Sequence, residues 1–299
     1  MTRIVFIVLL MLEFMTPVAL GAQEAVFVAH GGGTIFSGGV AFRLHKAFKI
    51  AFDLGGGRSA NIVTFDGTGD DASGEIAAIL RQVGYRKASF LKISDPAAPE
   101  KIAAADVIYF DGGVQTKLMR RLQAFPLVLA ALQDARQTAK VIGGTSAGAA
   151  ILSDVMICCN RGQTAIESRG LGYLDRIVID QHYSRREREF RLRQIITAHP
   201  DLIGVGIDET VAVVFQGGVL TVVRSPENRL QPQQKFSGCK YFGDTYNCTC
   251  DTGLTHEGLA CVRNATQGTD ANQFATVVRM VNGQLVETRL QDGESMRYR

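Results

Sequence analysis

Through its first half the chain alternates strand-like runs with helix-like ones, and three of the strands run into glycine-rich turns: EAVFVAHGGG, DVIYFDGG and AKVIGGTSAGAA. That alternation is the strongest constraint on the fold. Strands separated by helices pair in parallel, and the helices must then cover the faces of the sheet. ANIVTFD and KASFLKI read as further strands. SGEIAAILRQVGY reads as a helix, with Ile76, Ile79, Leu80 and Val83 at helical spacing, Ser73 as its cap and Gly84 as its stop. PEKIAAA is a short helix, residues 114–139 form a helix broken at Pro126, and AGAAILSDV is a helix. KAFKIAFDLGGG fits helix or strand equally. Beyond Ile177 the strands shorten (RIVID, IGVGID, TVAVVFQGG, VLTVVRS), and QFATVVRMVNGQLVETRL reads as a C-terminal hairpin turning at Asn282 and Gly283. The expected fold class is α/β, a mostly parallel sheet flanked by helices. Chemistry in such sheets collects at the carboxyl ends of the strands, where the three glycine turns fall. With no internal repeat or low-complexity linker, residues 23–299 read as one domain.

The first residues, MTRIVFIVLLMLEFMTPVALGAQ, stand outside this pattern. A basic start at Arg3, an apolar run from Ile4 to Leu12 and small residues at Ala19, Gly21 and Ala22 predict a signal peptide over residues 1–22. Glu13 and Pro17 cut the run short of the roughly 20 apolar residues a membrane helix needs. The expectation is a secreted or extracellular protein, periplasmic in a Gram-negative source, with no membrane segment after signal removal. The cysteines agree with export. Cys239, Cys248, Cys250 and Cys261 crowd into residues 236–263, which reads as a disulfide-stapled loop whose pairing is left open. Their spacing is not finger-like and His256 is the one histidine nearby, so no metal is expected. Cys158 and Cys159 are adjacent, either free or paired elsewhere, and Asn247 and Asn264 begin glycosylation sequons. With 32 basic and 29 acidic residues, the balance gives no clustered footprint for nucleic acid.

Gly144-Thr145-Ser146-Ala147-Gly148 satisfies G-x-S-x-G with a strand before it and a helix after it, the context that gives the pattern meaning. A nucleophile on so tight a bend needs small neighbours, and the following helix turns its N–H groups toward developing oxyanion charge. The bland alternative is a glycine-serine turn that caps a helix. A serine needs a base, and His182 follows the strand RIVID; His199, in TAHPD, reads as a loop residue. A third, orienting carboxylate is offered by Asp208 or Glu209 after IGVGID. The order serine, histidine, acid differs from that of α/β-hydrolases, which run serine, acid, histidine.

With GTSAGA at residues 144–149 stand FDGGVQ at 110–115, DQHYSRRERE from Asp180, and GVGIDE at 204–209. In this combination and order the chain resembles peptidase family S51, the serine peptidases that include cyanophycinase and aspartyl dipeptidase. The resemblance runs over roughly residues 25–223 and is nearer to the cyanophycinases because of the arginine-bearing motif. It implies a fold like class I glutamine amidotransferases, a flavodoxin-like three-layer sandwich, with serine in place of their cysteine. It implies Ser146 as nucleophile, His182 as general base and Glu209 as the carboxylate orienting it. Gly113 and Ala147 would supply the oxyanion hole through their N–H groups. Gln115, Asp180, Gln181, Arg186, Arg188 and Arg191 fall on positions resembling the substrate-binding set. Guanidinium forks suit substrate carboxylates, while Arg185 and Arg193 are expected on the surface. Three positions depart from the family pattern: Val114 for a polar or acidic residue, Val211 for threonine, and Tyr183 for phenylalanine.

These readings predict a secreted serine peptidase, without cofactor, that cuts peptide or isopeptide bonds next to aspartyl residues. The cyanophycinase-like version releases β-Asp-Arg dipeptides from a polymer with an aspartate backbone and arginine branches. An aspartyl dipeptidase or an esterase would use the same triad, and a homodimer is compatible with any of these. The alternative from another class is a non-catalytic extracellular binding protein on the same scaffold, with the cysteine loop as its interaction module.

Overall fold

The computed structural model describes residues 25–33, 36–37, 43–67, 74–224, 239–242, 245–248 and 274–299. The expected signal peptide, the Ser73 cap, His256, Asn264, Cys250 and Cys261 lie outside the described residues. Among the described residues no helix is long and apolar enough to cross a membrane.

An eight-stranded sheet runs in the order β18 (Ser295–Arg297), β13 (Val219–Arg224), β12 (Val211–Gln216), β1 (Val26–His30), β7 (Val141–Thr145), β6 (Val107–Gly113), β4 (Ile62–Gly67), β5 (Ala88–Phe90). From β1 to β5 all pairings are parallel, while β12, β13 and β18 extend the other edge antiparallel. The expected mostly parallel sheet with helices on both faces is therefore present.

Alternate residues of its strands serve opposite layers, as period-2 geometry requires. Val28, Ile62, Tyr109 and Val141 pack on α1 (Lys46–Leu54) and α2 (Glu75–Gln82) through Phe48, Phe52, Ile76 and Leu80. Phe27, Val63, Phe110 and Ile142 face the other way, onto α3 (Ala98–Ala103), α4 (Gln115–Gln123) and α5 (Pro126–Thr138). Each fully buried side chain of the Phe or Ile kind contributes roughly 1.5–3 kcal/mol. Pro126 ends one helix and opens the next, where its missing N–H costs nothing. The ambiguous KAFKIAFDL is α1, decided by the burial of Ala47, Phe48, Ala51 and Phe52 along one stripe.

The sequence reading does not foresee a second sheet, in the order β10 (Ile177–Gln181), β11 (Ile203–Ile207), β16 (Ala275–Val281), β17 (Gln284–Leu290). Ile177, Ile179, Val205, Ile207 and Val277 join the same core as the α3–α5 layer, while Val178 and Val278 face α7 (Glu189–Ala198) through Leu192, Ile195 and Ile196. The C-terminal strands β16 and β17 turn at Asn282 (φ 51°) and Gly283 (φ 77°), the two positive angles of a type I′ hairpin. Two-stranded ladders join β2 (Phe36–Ser37) to β3 (Arg43–Leu44), β8 (Val155–Arg161) to β9 (Thr164–Arg169), and β14 (Cys239–Phe242) to β15 (Thr245–Cys248). In the last, the backbones of Cys239 and Cys248 lie opposite each other.

The helix read in AGAAILSDV is cut to one turn, α6 (Ala147–Ala150), and the chain goes on into β8. Tertiary structure overrides propensity here: Ser153 bridges to Leu174, and its hydroxyl accepts the N–H of Ile179 in β10.

Candidate active site

Ser146 sits between β7 and α6 with φ 52° and ψ −115°, a backbone that L residues rarely adopt. In the run from Gly143 to Ala150 it alone is not buried. The small neighbours are needed because β6 passes directly beneath: a Cβ on Gly144 would lie 2.9 Å from the Phe110 carbonyl oxygen, and one on Gly148 would lie 2.8 Å from that of Asp111. The serine carbonyl accepts the N–H groups of Ala149 and Ala150, which starts the helix. Its own N–H donates to the His30 carbonyl at the end of β1 (2.9 Å).

His182 follows β10 and Glu209 follows β11, so base and acid stand on the second sheet while the serine stands on the first. Two sheets, rather than the single one read from the strand and helix alternation, thus meet at the site with their carboxyl ends. Ser146 Oγ is 2.8 Å from His182 Nε2, and His182 Nδ1 is 2.6 Å from Glu209 Oε1. Of the two candidate acids Glu209 faces the histidine. Asp208 instead accepts the Ser184 N–H and hydroxyl (2.9 and 2.5 Å), fixing the turn that carries His182.

Burial pushes the His182 imidazole down to about 4, against the hydrogen bond to Glu209, which raises it; the charges of Arg186 and Arg188 lower it further. Burial alone would raise the Glu209 carboxyl, but its hydrogen bond with His182, then the charges of His182, Arg185 and Arg186, hold it below its usual value. At neutral pH the pair is a neutral imidazole beside a carboxylate. An unprotonated Nε2 facing a serine hydroxyl can take a proton from it, and the carboxylate can stabilise the resulting imidazolium.

Of the two residues expected to form the oxyanion hole, Ala147 follows the serine directly. Ala147 opens α6, and Gly113 follows Gly112, whose Cα faces the serine side chain; a Cβ there would lie 3.5 Å from Ser146 Cβ. Asp111, which sequence reasoning passed over, lies in the same segment. Burial lifts its carboxyl to about 7, its bond from the Gly112 N–H lowers it, and the charges of Asp66 and Glu75 raise it. Val114 is half-buried and caps α4.

The other predicted site residues are largely engaged with one another. Asp180 and Arg191, both buried, form a two-pronged ion pair (Arg191 Nε to Asp180 Oδ2 2.7 Å, and Nη2 to Oδ1). Arg188 donates to both the backbone carbonyl and the side-chain oxygen of Gln181 at 2.5 Å. The Gln115 amide donates to the carbonyls of Ile157 and Cys158 (3.0 Å each). Arg186 is exposed. Arg185, expected at the surface, is half-buried and acts on Glu209, whereas Arg193 pairs with Glu287 on the outside. His199 pairs with Glu167, and it is His182 that faces the serine. Tyr183 is buried with its ring over Gly206, where a Cβ would come within 2.6 Å. Cys158 and Cys159 are free thiols. Among the described residues no group of histidine, cysteine or carboxylate side chains could hold a metal ion.

The family model for peptidase family S51 matches residues 70–223, just over half of the 299-residue chain. The chain is 34% identical over 158 residues to a cyanophycinase of Synechococcus elongatus, covering 48% of this chain and 49% of that protein. It is 29% identical over 222 residues to a cyanophycinase of Trichormus variabilis, covering 69% and 71% of the two chains. The chain thus spans about half the length of the first of these relatives. A crystal structure of a peptidase from an acI-B1 Actinobacterium superposes over 93% of this chain and 98% of its own, with TM-score 0.57 and 17% identity, a likeness of fold. With its motifs, its sheet and this match over half its length, the chain belongs to peptidase family S51.

Proposed function

We propose that the protein is a secreted serine peptidase that hydrolyses peptide or isopeptide bonds next to aspartyl residues, in the manner of a cyanophycinase. The observation that carries this reading is the continuous line from Ser146 Oγ through both ring nitrogens of His182 to Glu209, with links of 2.8 and 2.6 Å. Ser146 Oγ attacks the carbonyl carbon while its proton passes to His182 Nε2. The oxyanion accepts the N–H groups of Gly113 and Ala147. His182 then returns the proton to the leaving amine, and Ser146 is left acylated. Water, deprotonated by His182, attacks the acyl-enzyme; the carboxylate product departs and the serine regains its proton.

The aspartyl substrate class is supported by the cationic surroundings. Arg185, Arg186 and Arg188 act electrostatically on His182 and Glu209, so a carboxylate of the substrate would find compensating charge beside the reacting bond. Export is supported by the leader-like first 22 residues and the clustered cysteines.

The test is to incubate the purified mature protein with cyanophycin, with α-aspartyl dipeptides and with simple esters. Release of β-Asp-Arg from the polymer, lost in Ser146→Ala, is the expected result. Cleavage of aspartyl dipeptides without polymer release replaces the polymer assignment with a dipeptidase. Turnover of esters alone makes the protein an esterase, and inertness toward all three favours a binding protein.

A further inference from the structure

One turn binds the backbones of Ser146, His182 and Thr210, the residue after Glu209. Residues 30–33, HGGG, leave the end of β1 and pass between the two sheets. The carbonyl of His30 accepts the Ser146 N–H (2.9 Å), that of Gly31 accepts the His182 N–H (2.8 Å), and that of Gly32 accepts the Thr210 N–H (2.9 Å), next to Glu209. Three consecutive carbonyls thus fix the backbones of the nucleophile, the base and the residue that follows the acid. The turn also fills the space behind the side chains. A Cβ on Gly32 would collide with the His182 ring, and one on Gly33 would lie 2.9 Å from Glu209 Cβ. Gly32 and Gly33 have φ of 97° and 86°, so the turn adopts angles that disfavour any side chain. Ser146, His182 and Thr210 themselves have φ of 52°, 51° and 63°. Positive φ at non-glycine residues costs on the order of 1–3 kcal/mol each and persists where surrounding bonds over-determine it.

What holds the turn is the imidazole of His30. It is fully buried, and its Nδ1 accepts the Gly32 N–H (3.2 Å) and pairs with the Thr145 hydroxyl (2.9 Å), one residue before the nucleophile. A nitrogen that accepts from a backbone N–H carries no proton, so the neutral ring bears its hydrogen on Nε2, which meets no partner among the described residues. Burial, with the charges of His45 and His182 adding to it, pushes His30 down to about 3, so Nδ1 stays an acceptor throughout the range in which His182 is an effective base. The ring packs edge-on against Phe48. Nothing in the proton transfers from serine to histidine to glutamate uses this imidazole.

We infer that His30 is a positioning residue of the active site: its Nδ1 locks the Gly31–Gly33 turn and the Thr145 side chain, and through them sets serine, histidine and glutamate in register. Small displacements of reacting groups are costly, since a shift of about 1 Å can slow a reaction about 10²-fold.

This inference rests on Ser146 being the nucleophile, and the test separates the two. A fluorophosphonate, which phosphonylates an activated serine with loss of fluoride, reads nucleophile activation without any substrate. Its limiting labelling rate and its half-saturating concentration are measured on the full chain for wild type, His30→Asn, His30→Gln and His30→Leu. Asparagine places an amide oxygen where Nδ1 stands, whereas glutamine and leucine leave that position without an acceptor. The expected result is a limiting rate close to wild type for His30→Asn and a loss of about 10²-fold for the other two, with half-saturation unchanged in all. Equal rates per folded molecule in all three variants overturn the inference, as does His30→Asn falling with His30→Leu. A wild type that takes no label at Ser146 overturns the nucleophile reading itself. The wild-type chain supplies a measurement free of folding defects: imidazole ¹⁵N spectra should place the His30 proton on Nε2, and a proton on Nδ1 contradicts the role.

Discussion

Two polar clusters of this molecule differ in what their side chains are free to do. In the first, Ser146, His182 and Glu209 face one another in a line, with the serine partly exposed and the histidine buried and neutral. In the second, Gln115, Asp180, Gln181, Arg188 and Arg191 satisfy one another and the local backbone. The first arrangement is set up to move a proton. The second is built like a scaffold, because a carboxylate and guanidinium both out of water need each other at close range. Residues that are neighbours in the DQH–arginine motif are therefore paired differently: His182 faces Ser146 and Glu209, while Asp180, two residues earlier, is buried against Arg191. A motif marks where a site is, and the pairing of each side chain says what it does there.

Substitutions can break this contrast. The largest effect is expected for Glu209→Gln, which keeps the shape but presents an amide to Nδ1 and disfavours the tautomer that leaves Nε2 open. The limiting rate of serine labelling should fall about 10⁴-fold, with unfolding by urea little changed. Next is Arg191→Leu, which strands Asp180 in the interior. Here stability should drop by about 3–5 kcal/mol in urea unfolding, whereas the residual folded fraction should still label at Ser146. If Arg191→Leu folds normally and only raises KM, the pair belongs to the substrate site rather than the scaffold.

The pH profile sharpens the first cluster. The base works when neutral, and burial has lowered His182 to about 4. Labelling rate should therefore rise as pH climbs through about 4 and lie flat through neutrality. A midpoint near the ordinary histidine value of about 6.5 would mean that the ring is more open to water than its burial indicates. The smallest effect belongs to Arg193→Ala. Its ion pair with Glu287 is exposed at the surface, with side-chain exposures of 49% and 30%, so stability should change by less than about 1 kcal/mol.

Much of this was legible in the sequence where the information is local. The glycine turns after β1, β6 and β7, the helix stripe of Ile76 and Leu80, the break at Pro126 and the Asn282–Gly283 hairpin all have short-range causes. The second sheet does not. RIVID and IGVGID read as strands, but nothing in them says that β11 pairs with β16, some 70 residues downstream, rather than with the main sheet. The position of His182 at the end of a strand could be read; which sheet that strand belongs to could not. The reading of AGAAILSDV failed for the same reason, since Ser153 is recruited by β10. Arg185 was expected at the surface, and its sequence neighbours do not reveal that its charge bears on Glu209. His30 was passed over because a histidine at a strand end says little until its carbonyl and those of the turn after it are seen to bind the backbones of Ser146, His182 and Thr210.

The central claim is that Ser146, His182 and Glu209 form one working proton path across two sheets. Its most direct test is to treat the folded protein at neutral pH with a fluorophosphonate and map the adduct by mass spectrometry. The account predicts a single adduct on Ser146, absent in Ser146→Ala and strongly slowed in His182→Ala; no adduct, or one on another serine, would contradict it.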